Sequence, residues 1–248
     1  MAVAPEAKPT TGSDRSDQVQ TLFSEIAPRY DLLNHVLSLN IDRRWRRKAV
    51  DQLGWQDRPA GTYLDGCAGT FDLSLELANR SAFSGSIVAV DFAFPMLFQG
   101  LGKTAGTGIE AVCGDALRLP FEAGTFDGVT IGFGVRNLAD LGLGFRECFR
   151  VLKDGGRLVV LEFTVPPGPL MRWGYMFYFN HILPRVGRLV SGHPWAYRYL
   201  PESVKDFPGP EGIAELLESA GFGSVSWSLL TGGIAAVHVA KKTPLRAP

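Results

Sequence analysis

The sequence has few cysteines, no excess of either charge and only short hydrophobic runs. Its 248 residues include three cysteines, Cys67, Cys113 and Cys148, whose separations of 46 and 35 residues fit neither a zinc motif nor a disulfide framework. We interpret them as reduced thiols of a cytoplasmic protein. Basic and acidic residues number 25 each, so the charge does not favour a nucleic-acid partner. Every strongly apolar run is shorter than about 18 residues or is broken by charge, which excludes a membrane span but not attachment to a membrane surface.

The order of apolar patterns indicates one α/β domain. With 46% hydrophobic residues, the chain can bury one large core. Helical spacing comes first, and from Thr62 onwards short Val- and Ile-rich runs alternate with helical segments, which is typical of a parallel sheet covered on both faces. The predicted parts are a disordered tail at 1–17, a single domain at 18–242 with an N-terminal helical part at 18–58 and an aromatic cap at 164–210, and a loose C-terminus at 243–248.

Acidic residues end or follow three successive predicted strands. Asp65 ends "TYLD", Asp91 ends "SIVAVD", and Asp115 follows "IEAVCG". Because the carboxyl ends of parallel strands meet at one edge of a sheet, we expect these carboxylates to lie close together. Asp91 stands 22 residues after Gly69, the spacing at which a carboxylate accepts the hydroxyls of a ribose.

The turn after the first predicted strand contains glycines but no phosphate-binding motif. Gly66 and Gly69 allow the backbone to approach a ligand, while neither GxGxxG nor GxxxxGKS/T is present. A nucleoside pocket with carboxylates and no phosphate cradle fits S-adenosylmethionine, which has a cationic sulfur and no phosphate. We therefore predict this cofactor, bound by Asp65, Gly66, Gly69, Thr70, Asp91, Asp115, Ala116 and Gly132.

Several longer stretches resemble one family of enzymes. The stretches "YDLLNHVLSLNIDRRWRR", "LPFEAGTFDGVTIGFGVRNLADL", "RVLKDGGRLVVLEF" and "HILPRVGRLV" resemble the ubiquinone and menaquinone biosynthesis C-methyltransferases, and the match runs from about Gln18 to Ala240. The "GFGVRN" and "YDLLN" segments are more diagnostic than the cofactor turn. The resemblance implies a class I methyltransferase fold with a Rossmann-like sheet of seven strands, the last antiparallel. It also implies methylation of a ring carbon of a prenylated quinol in respiratory quinone biosynthesis.

The resemblance also implies catalytic residues. Arg136 and Asn137 would face the acceptor, with Tyr30 in the same site. A guanidinium beside a quinol hydroxyl stabilises its phenolate and so activates the ring carbon. Without the resemblance, a solvated or salt-bridged loop residue is the more common explanation of Arg136. The four histidines show no metal spacing, so no metal is predicted, and His181 is the best base among them.

The chain departs from the family pattern at three places. Phe71 stands where the family has a third glycine, Gly132 stands where it has a serine, and "SGHPW" at 191–195 replaces an acidic stretch. We expect the Phe71 ring to narrow the cofactor site, or to fill the space that Gly66 leaves beside it.

The predicted cap is rich in aromatic residues. "WGYMFYFNHILP" fits a core helix, and its inner face also suits a tunnel for an isoprenoid tail. With Arg172, Arg185 and Arg188 nearby, it also suits a helix at a membrane interface, on the inner face of the cell membrane. The basic cluster at 43–48 is explained by a solvated helix face, with anionic lipid as the minor alternative. Expected partners are the prenylated quinol and a membrane surface but no nucleic acid, and a homo-oligomer stays open.

Two other functions stay open at this point. One is a small-molecule O- or N-methyltransferase on the same fold. The other is a noncatalytic prenylquinone-binding subunit in which Phe71 impairs cofactor binding. The choice between naphthoquinol and benzoquinol, and the length of the prenyl tail, do not follow from the residues.

Overall fold

The computed structural model describes most of the chain from Ile41 onwards. The described residues are 19–21, 23–25, 27, 38, 40–182, 185, 201 and 203–244. Tyr30, the segment 191–195 and the predicted tail at 1–17 lie outside them, as does most of the second half of the predicted cap.

Strands and helices alternate along the described chain. The strands are β1 (Thr62–Gly66), β2 (Ser86–Asp91), β3 (Ile109–Cys113), β4 (Phe126–Gly132), β5 (Leu152–Phe163), β6 (Ser224–Leu230) and β7 (Ala235–Lys241). The helices are α1 (Ile41–Gln52), α2 (Asp72–Ala78), α3 (Phe94–Gly100), α4 (Leu141–Val151), α5 (Pro169–Phe177) and α6 (Pro210–Ser219). Each run that the sequence predicts to be a strand is one.

All seven strands form one sheet in the order β3-β2-β1-β4-β5-β7-β6. The first five strands pair in parallel, whereas β7 runs antiparallel to both β5 and β6. The predicted seven-stranded sheet with an antiparallel last strand is therefore confirmed. The strand order reverses at β1, which lies between β2 and β4, and ligands of such sheets bind beyond the carboxyl ends of the strands at this point.

Two hydrophobic cores cover the two faces of the sheet. Along β5, Leu158 and Val160 belong to the core beneath α4 and α6, and Val159 and Leu161 belong to the core beneath α1. Successive strand residues point to opposite faces, so a continuous apolar run such as "LVVL" has to be covered on both sides. The sheet is thereby held between helices, and the carboxyl ends of its strands remain available for a site.

The cap begins with α5, which continues into a π-helical turn at Tyr178–Ile182. Tyr175 and Phe179 face inwards and pack with Val204, whereas Trp173 and Phe177 are exposed and stack on one another with ring centroids 5.9 Å apart. The aromatic segment thus has a buried face and an exposed face. Its contact with a prenyl tail or a membrane stays a prediction. Within the described part of the chain, no helix has both the length and the apolar character needed to cross a bilayer.

Candidate active site

The turn from β1 into α2 is held in a left-handed conformation at three positions. The φ angles are 53° at Cys67, 55° at Gly69 and 72° at Phe71. Glycine adopts such angles without strain, but side-chain-bearing residues do so only where surrounding contacts hold them. Gly134 is one such contact, because a Cβ added there would stand 2.4 Å from the Cβ of Cys67. The end of β4 is therefore packed directly against the turn.

Asp91, the last residue of β2, links this turn to the neighbouring strand. Its Oδ2 accepts a hydrogen bond from the Gly69 N–H at 2.8 Å, and its Oδ1 accepts one from the Ala93 N–H at 2.8 Å. Burial raises the pKa of Asp91, and these backbone hydrogen bonds oppose that effect. A carboxylate offers about four lone-pair positions, so both oxygens retain capacity for the hydroxyls of a ribose.

A cavity of about 250 Å³ opens beside Asp91, between the first turn and the ends of β3 and β4. It brings together six of the predicted site residues: Gly69, Asp91, Asp115, Ala116, Gly132 and Asn137. Sequence reasoning missed the rest of its wall, which consists of Phe23, Cys67, Val90, Phe92, Met96, Gly114, Leu117, Phe133, Gly134, Leu138 and Ala139. Most of these missed residues are apolar, and only the neighbouring strand-end acids could have pointed to them.

The residues that line the cavity fit an adenosine moiety. Phe92, Met96 and Leu117 supply apolar walls of the kind that a purine ring stacks against. Asp115 lies on the same wall and accepts a hydrogen bond from the Leu117 N–H at 2.9 Å, which fixes its carboxylate. No cationic side chain lines the described cavity, as expected for a ligand without phosphate.

Three predicted cofactor residues lie behind the turn instead of in the cavity wall. Asp65 is buried and accepts hydrogen bonds from the N–H and hydroxyl of Ser74, at 3.0 and 2.6 Å, and from the Thr130 hydroxyl at 3.1 Å. Burial raises the pKa of Asp65 to about 6. A Cβ added at Gly66 would lie 3.3 Å from the Ile131 side chain. Thr70 is buried. These residues support the turn, and direct cofactor contact by them stays a prediction.

The Phe71 ring does not occupy the cofactor cavity. It is fully buried and packs with Ala89 and Leu97, and a Cβ added at Gly100 of α3 would lie 2.5 Å from the ring. The left-handed backbone at Phe71 turns its side chain towards α3. The expectation that the ring narrows the site or fills the space beside Gly66 is therefore wrong, since the ring fills the space that Gly100 leaves.

Gly132 at the end of β4 is also packed too closely against its neighbours to carry a side chain without movement. A Cβ added at Gly132 would stand 2.6 Å from the Leu73 Cδ1 of α2. A serine at this position would require Leu73 to move, so the glycine is matched to the packing of α2 in this chain.

Beyond the cavity, Arg136 and Glu162 form a buried ion pair. The Arg136 Nη1 donates to the Glu162 Oε1 at 2.7 Å and to the Phe133 carbonyl at 2.7 Å. The guanidinium lies 5.6 Å from the centroid of the Phe163 ring. Arg136 is not part of the cavity wall, although its chain neighbour Asn137 is. The interpretation of Arg136 as a salt-bridged residue is confirmed by its ion pair with Glu162. Its contact with the acceptor stays a prediction.

Aromatic rings surround this ion pair, and one of them, Phe133, also lines the cavity. Phe133 and Phe163 pack with ring centroids 4.6 Å apart, and Trp45 of α1 contacts both rings at 6.3 and 6.1 Å. Tyr175 of the cap belongs to the same apolar surroundings through Phe163. Glu162 and Tyr175 were both missed by sequence reasoning. The rule that selected Asp65 and Asp91 could have found Glu162, since it too stands at the end of a buried strand.

His181 lies away from both groups. It is exposed on the π-helical turn and its ring contacts Phe177 at 5.0 Å, on the outer face of the cap. It does not line the described cavity, so nothing in its position favours a role as base.

A family model and several named relatives agree on the family of this chain. Residues 11–242 match the model of the ubiE/COQ5 methyltransferase family. The chain is 50% identical over 220 residues to the demethylmenaquinone methyltransferase of Thermus thermophilus, covering 88% of this chain and 98% of the relative. It is 45% identical over 242 residues to the demethylmenaquinone methyltransferase of Deinococcus radiodurans, covering 96% and 98%. A ubiquinone/menaquinone biosynthesis C-methyltransferase UbiE from Geobacter sp. is 42% identical over 234 residues, covering 93% and 98%.

Solved structures show the same fold at low identity. The [4+2]-cyclase SpnF has a TM-score of 0.69 at 16% identity, covering 92% of this chain and 97% of that one. A phosphoethanolamine N-methyltransferase 2 of Haemonchus contortus, in complex with S-adenosylmethionine, has a TM-score of 0.54 at 17% identity, covering 74% and 49%. The fold is that of class I methyltransferases. The chain belongs to the ubiE/COQ5 methyltransferase family, and S-adenosylmethionine is its cofactor.

Proposed function

We propose that this protein methylates a ring carbon of a prenylated quinol in respiratory quinone biosynthesis. The names of its relatives support demethylmenaquinol or a ubiquinol precursor as the acceptor. The observation that supports the proposal is the Val135–Asn137 turn, in which Asn137 lines the nucleoside cavity and the neighbouring Arg136 guanidinium lies over the Phe163 ring. On this proposal, one turn joins the cofactor site to the acceptor site.

The residues of the cavity hold and orient the cofactor. Asp91 would accept the ribose hydroxyls, and Asp115, Phe92 and Met96 would hold the adenine. When bound, S-adenosylmethionine supplies a methyl group on a positively charged sulfur, which an electron-rich carbon can attack. The apolar walls keep water away from this group, and alignment of the two reactants contributes on the order of 7–11 kcal/mol in favourable cases.

On the acceptor side, Arg136 activates the ring. Its guanidinium is held by Glu162 and by the Phe133 carbonyl, so it does not reorganise when a phenolate forms beside it. The phenolate pushes electron density to the neighbouring carbon, which would take up the methyl group as the bond from methyl to sulfur breaks, leaving neutral S-adenosylhomocysteine. The ring proton on that carbon then leaves to water. The isoprenoid tail lies against the inner, apolar face of the cap.

The competing functions differ in their support. The noncatalytic alternative required Phe71 to impair cofactor binding, and its ring packs against α3 outside the cavity. O- or N-methylation would not need a guanidinium that stabilises a ring phenolate.

The experiment supplies the purified protein with S-adenosylmethionine and reduced demethylmenaquinone or the matching benzoquinol, and identifies the product by mass spectrometry and NMR. A new methyl signal on a ring carbon is expected. A methyl group on oxygen, or no heat of binding with S-adenosylhomocysteine, would refute the proposal. Expression in cells that lack their own quinone C-methyltransferase then shows which methylated quinone returns.

We also propose that the outer face of the cap binds an anionic membrane surface, as an acceptor with a long tail requires. Leu170, Trp173 and Phe177 share one helix face and are 82, 69 and 48% exposed. Residues 163–201 contain no acid and four arginines. Exposed aromatic residues with nearby cations are typical of interfacial helices.

Sedimentation with vesicles tests this surface. Trp173→Glu combined with Phe177→Glu should weaken binding to vesicles containing phosphatidylglycerol by about tenfold or more, because the apolar contact is lost. Trp227→Glu, at a partly exposed tryptophan on β6, is the matched control and should bind like the wild type. Equal binding of all three proteins would contradict the assignment of this face.

A further inference from the structure

Tyr175 has a buried hydroxyl that none of the described residues satisfies. The residue is 6% exposed, and its hydroxyl oxygen makes no hydrogen bond within the described structure. Buried polar groups are nearly always paired, because an unpaired one costs its full desolvation free energy. An unpaired group of this kind calls for an explanation, and a ligand is one.

Two other buried aromatic side chains show how such groups are satisfied elsewhere in the described fold. The Tyr63 hydroxyl donates to the Arg58 carbonyl at 2.8 Å, and the Trp45 Nε1 donates to the Thr231 hydroxyl at 2.8 Å. The Trp55 Nε1 also lacks a partner among the described residues, so Tyr175 is distinguished by its place beside Arg136 and Glu162 and not by its missing hydrogen bond alone.

The surroundings of Tyr175 connect it to the acceptor side of the site. Its ring is fixed by Phe179, with centroids 4.1 Å apart, and packs in the cluster that includes Phe163. The Arg136 guanidinium lies over the same Phe163 ring. The charges of Arg136 and Glu162 both act on the Tyr175 phenol, which agrees with this placement.

The phenol is a hydrogen-bond donor at neutral pH. Burial raises the pKa of Tyr175 far above its usual range, so the proton remains on the oxygen. Arg136 is also a donor only, and the Glu162 carboxylate is already engaged by Arg136 and by the Phe163 N–H at 2.9 Å. The two donors, the Tyr175 hydroxyl and the Arg136 guanidinium, are complementary to a ligand oxygen that carries or develops negative charge.

We propose that the Tyr175 hydroxyl binds the ring oxygen of the acceptor, sharing with Arg136 the oxygen adjacent to the methylated carbon. This inference rests on the proposed function and adds a recognition residue from the cap. Two fixed donors on one oxygen stabilise the phenolate in the manner of an oxyanion hole. The cap then takes part in the chemistry as well as covering the tail.

The test compares Tyr175→Phe with the matched control Tyr63→Phe. Tyr175→Phe should lower kcat/KM for the quinol by about 10- to 100-fold, because a hydrogen bond to a developing charge is lost, and should leave the affinity for S-adenosylhomocysteine within about twofold. Its Tm should not fall, since the hydroxyl has no hydrogen-bond partner among the described residues. Tyr63→Phe should show the opposite pattern, with a lower Tm and unchanged kcat/KM.

An acceptor analogue sharpens the test. Replacing the hydroxyl adjacent to the methylated carbon by hydrogen should reduce binding to the wild type, measured by tryptophan fluorescence, and should cause little further loss in Tyr175→Phe. Equal losses in both proteins, or wild-type kcat/KM in Tyr175→Phe, would overturn the inference alone. If the wild type methylates no quinol, the proposed function fails, and this inference fails with it.

Discussion

The two sides of the site are built in different ways. The cofactor side is a cavity in which backbone groups are fixed by neighbouring residues, as Asp91 fixes the turn at Gly69 through one short hydrogen bond. The proposed acceptor side would be assembled from side chains of distant elements: Trp45 from α1, Arg136 after β4, Glu162 from β5 and Tyr175 from the cap. On this proposal, strand ends supply most of the cofactor site, whereas the acceptor site depends on tertiary packing.

The largest effect is expected at Arg136. Arg136→Met should lower kcat/KM for the quinol by about 10²- to 10³-fold, because one preorganised stabiliser of charge is lost. The affinity for S-adenosylhomocysteine, measured by calorimetry, should stay within about threefold. A comparable loss of affinity would show that the two sides are not separable. Since removing one partner leaves Glu162 buried and unpaired, Arg136→Lys serves as a second variant that retains a positive charge.

A substitution at Phe71 tests whether the packing behind the cofactor turn affects stability without affecting cofactor binding. Phe71→Gly should lower the free energy of unfolding by about 2–4 kcal/mol, since the space beside Gly100 is emptied and only part of the loss is offset by relief of the left-handed backbone. Denaturant unfolding measures this change. S-adenosylhomocysteine should bind the folded variant within about threefold of the wild type. The double variant Phe71→Gly with Gly100→Leu should regain part of the stability, and a tenfold tighter cofactor complex in Phe71→Gly would contradict the placement of the ring.

Asp65 predicts a pH dependence of stability. Because its folded pKa is about 6 and the ordinary value is 3.8, the folded state binds the proton more tightly than the unfolded state between these values. The contribution of Asp65 therefore becomes less favourable as pH rises from about 4 to about 6. Asp65→Asn should gain on the order of 2 kcal/mol relative to the wild type over this interval, measured by urea unfolding at each pH. A constant difference across the interval would exclude the raised pKa.

Asp91→Asn should weaken S-adenosylhomocysteine binding by about 10- to 30-fold, because the amide nitrogen cannot accept the hydrogen bond from one of the Gly69 and Ala93 N–H groups and the remaining oxygen is uncharged. At saturating cofactor, the KM for the quinol should be unchanged. The matched control is Asp140→Asn, where the carboxylate caps α4 by accepting the Leu143 N–H at 2.8 Å and asparagine caps equally well. A raised KM for the quinol in Asp91→Asn would break the proposed division of the site.

The cofactor side was largely predictable from the sequence and the acceptor side was not. Alternating apolar runs predict a parallel sheet, and the acids at its strand ends predicted Asp91 and Asp115, because this rule needs only local pattern and topology. The direction of the Phe71 ring depends on Gly100, 29 residues later, and on a left-handed backbone angle that no pattern reveals. Both faces of α5 are apolar, so periodicity could not separate the inward Tyr175 from the outward Trp173 and Phe177.

Gly134 joins the segment that leads to Arg136 to the turn that holds Gly69. Its Cα lies against the Cys67 side chain, so a Cβ added there would stand 2.4 Å from the Cys67 Cβ. The added methyl group of Gly134→Ala would act as a wedge between the two segments. One missing methyl group therefore sets how closely the cofactor turn approaches the segment that leads to Arg136.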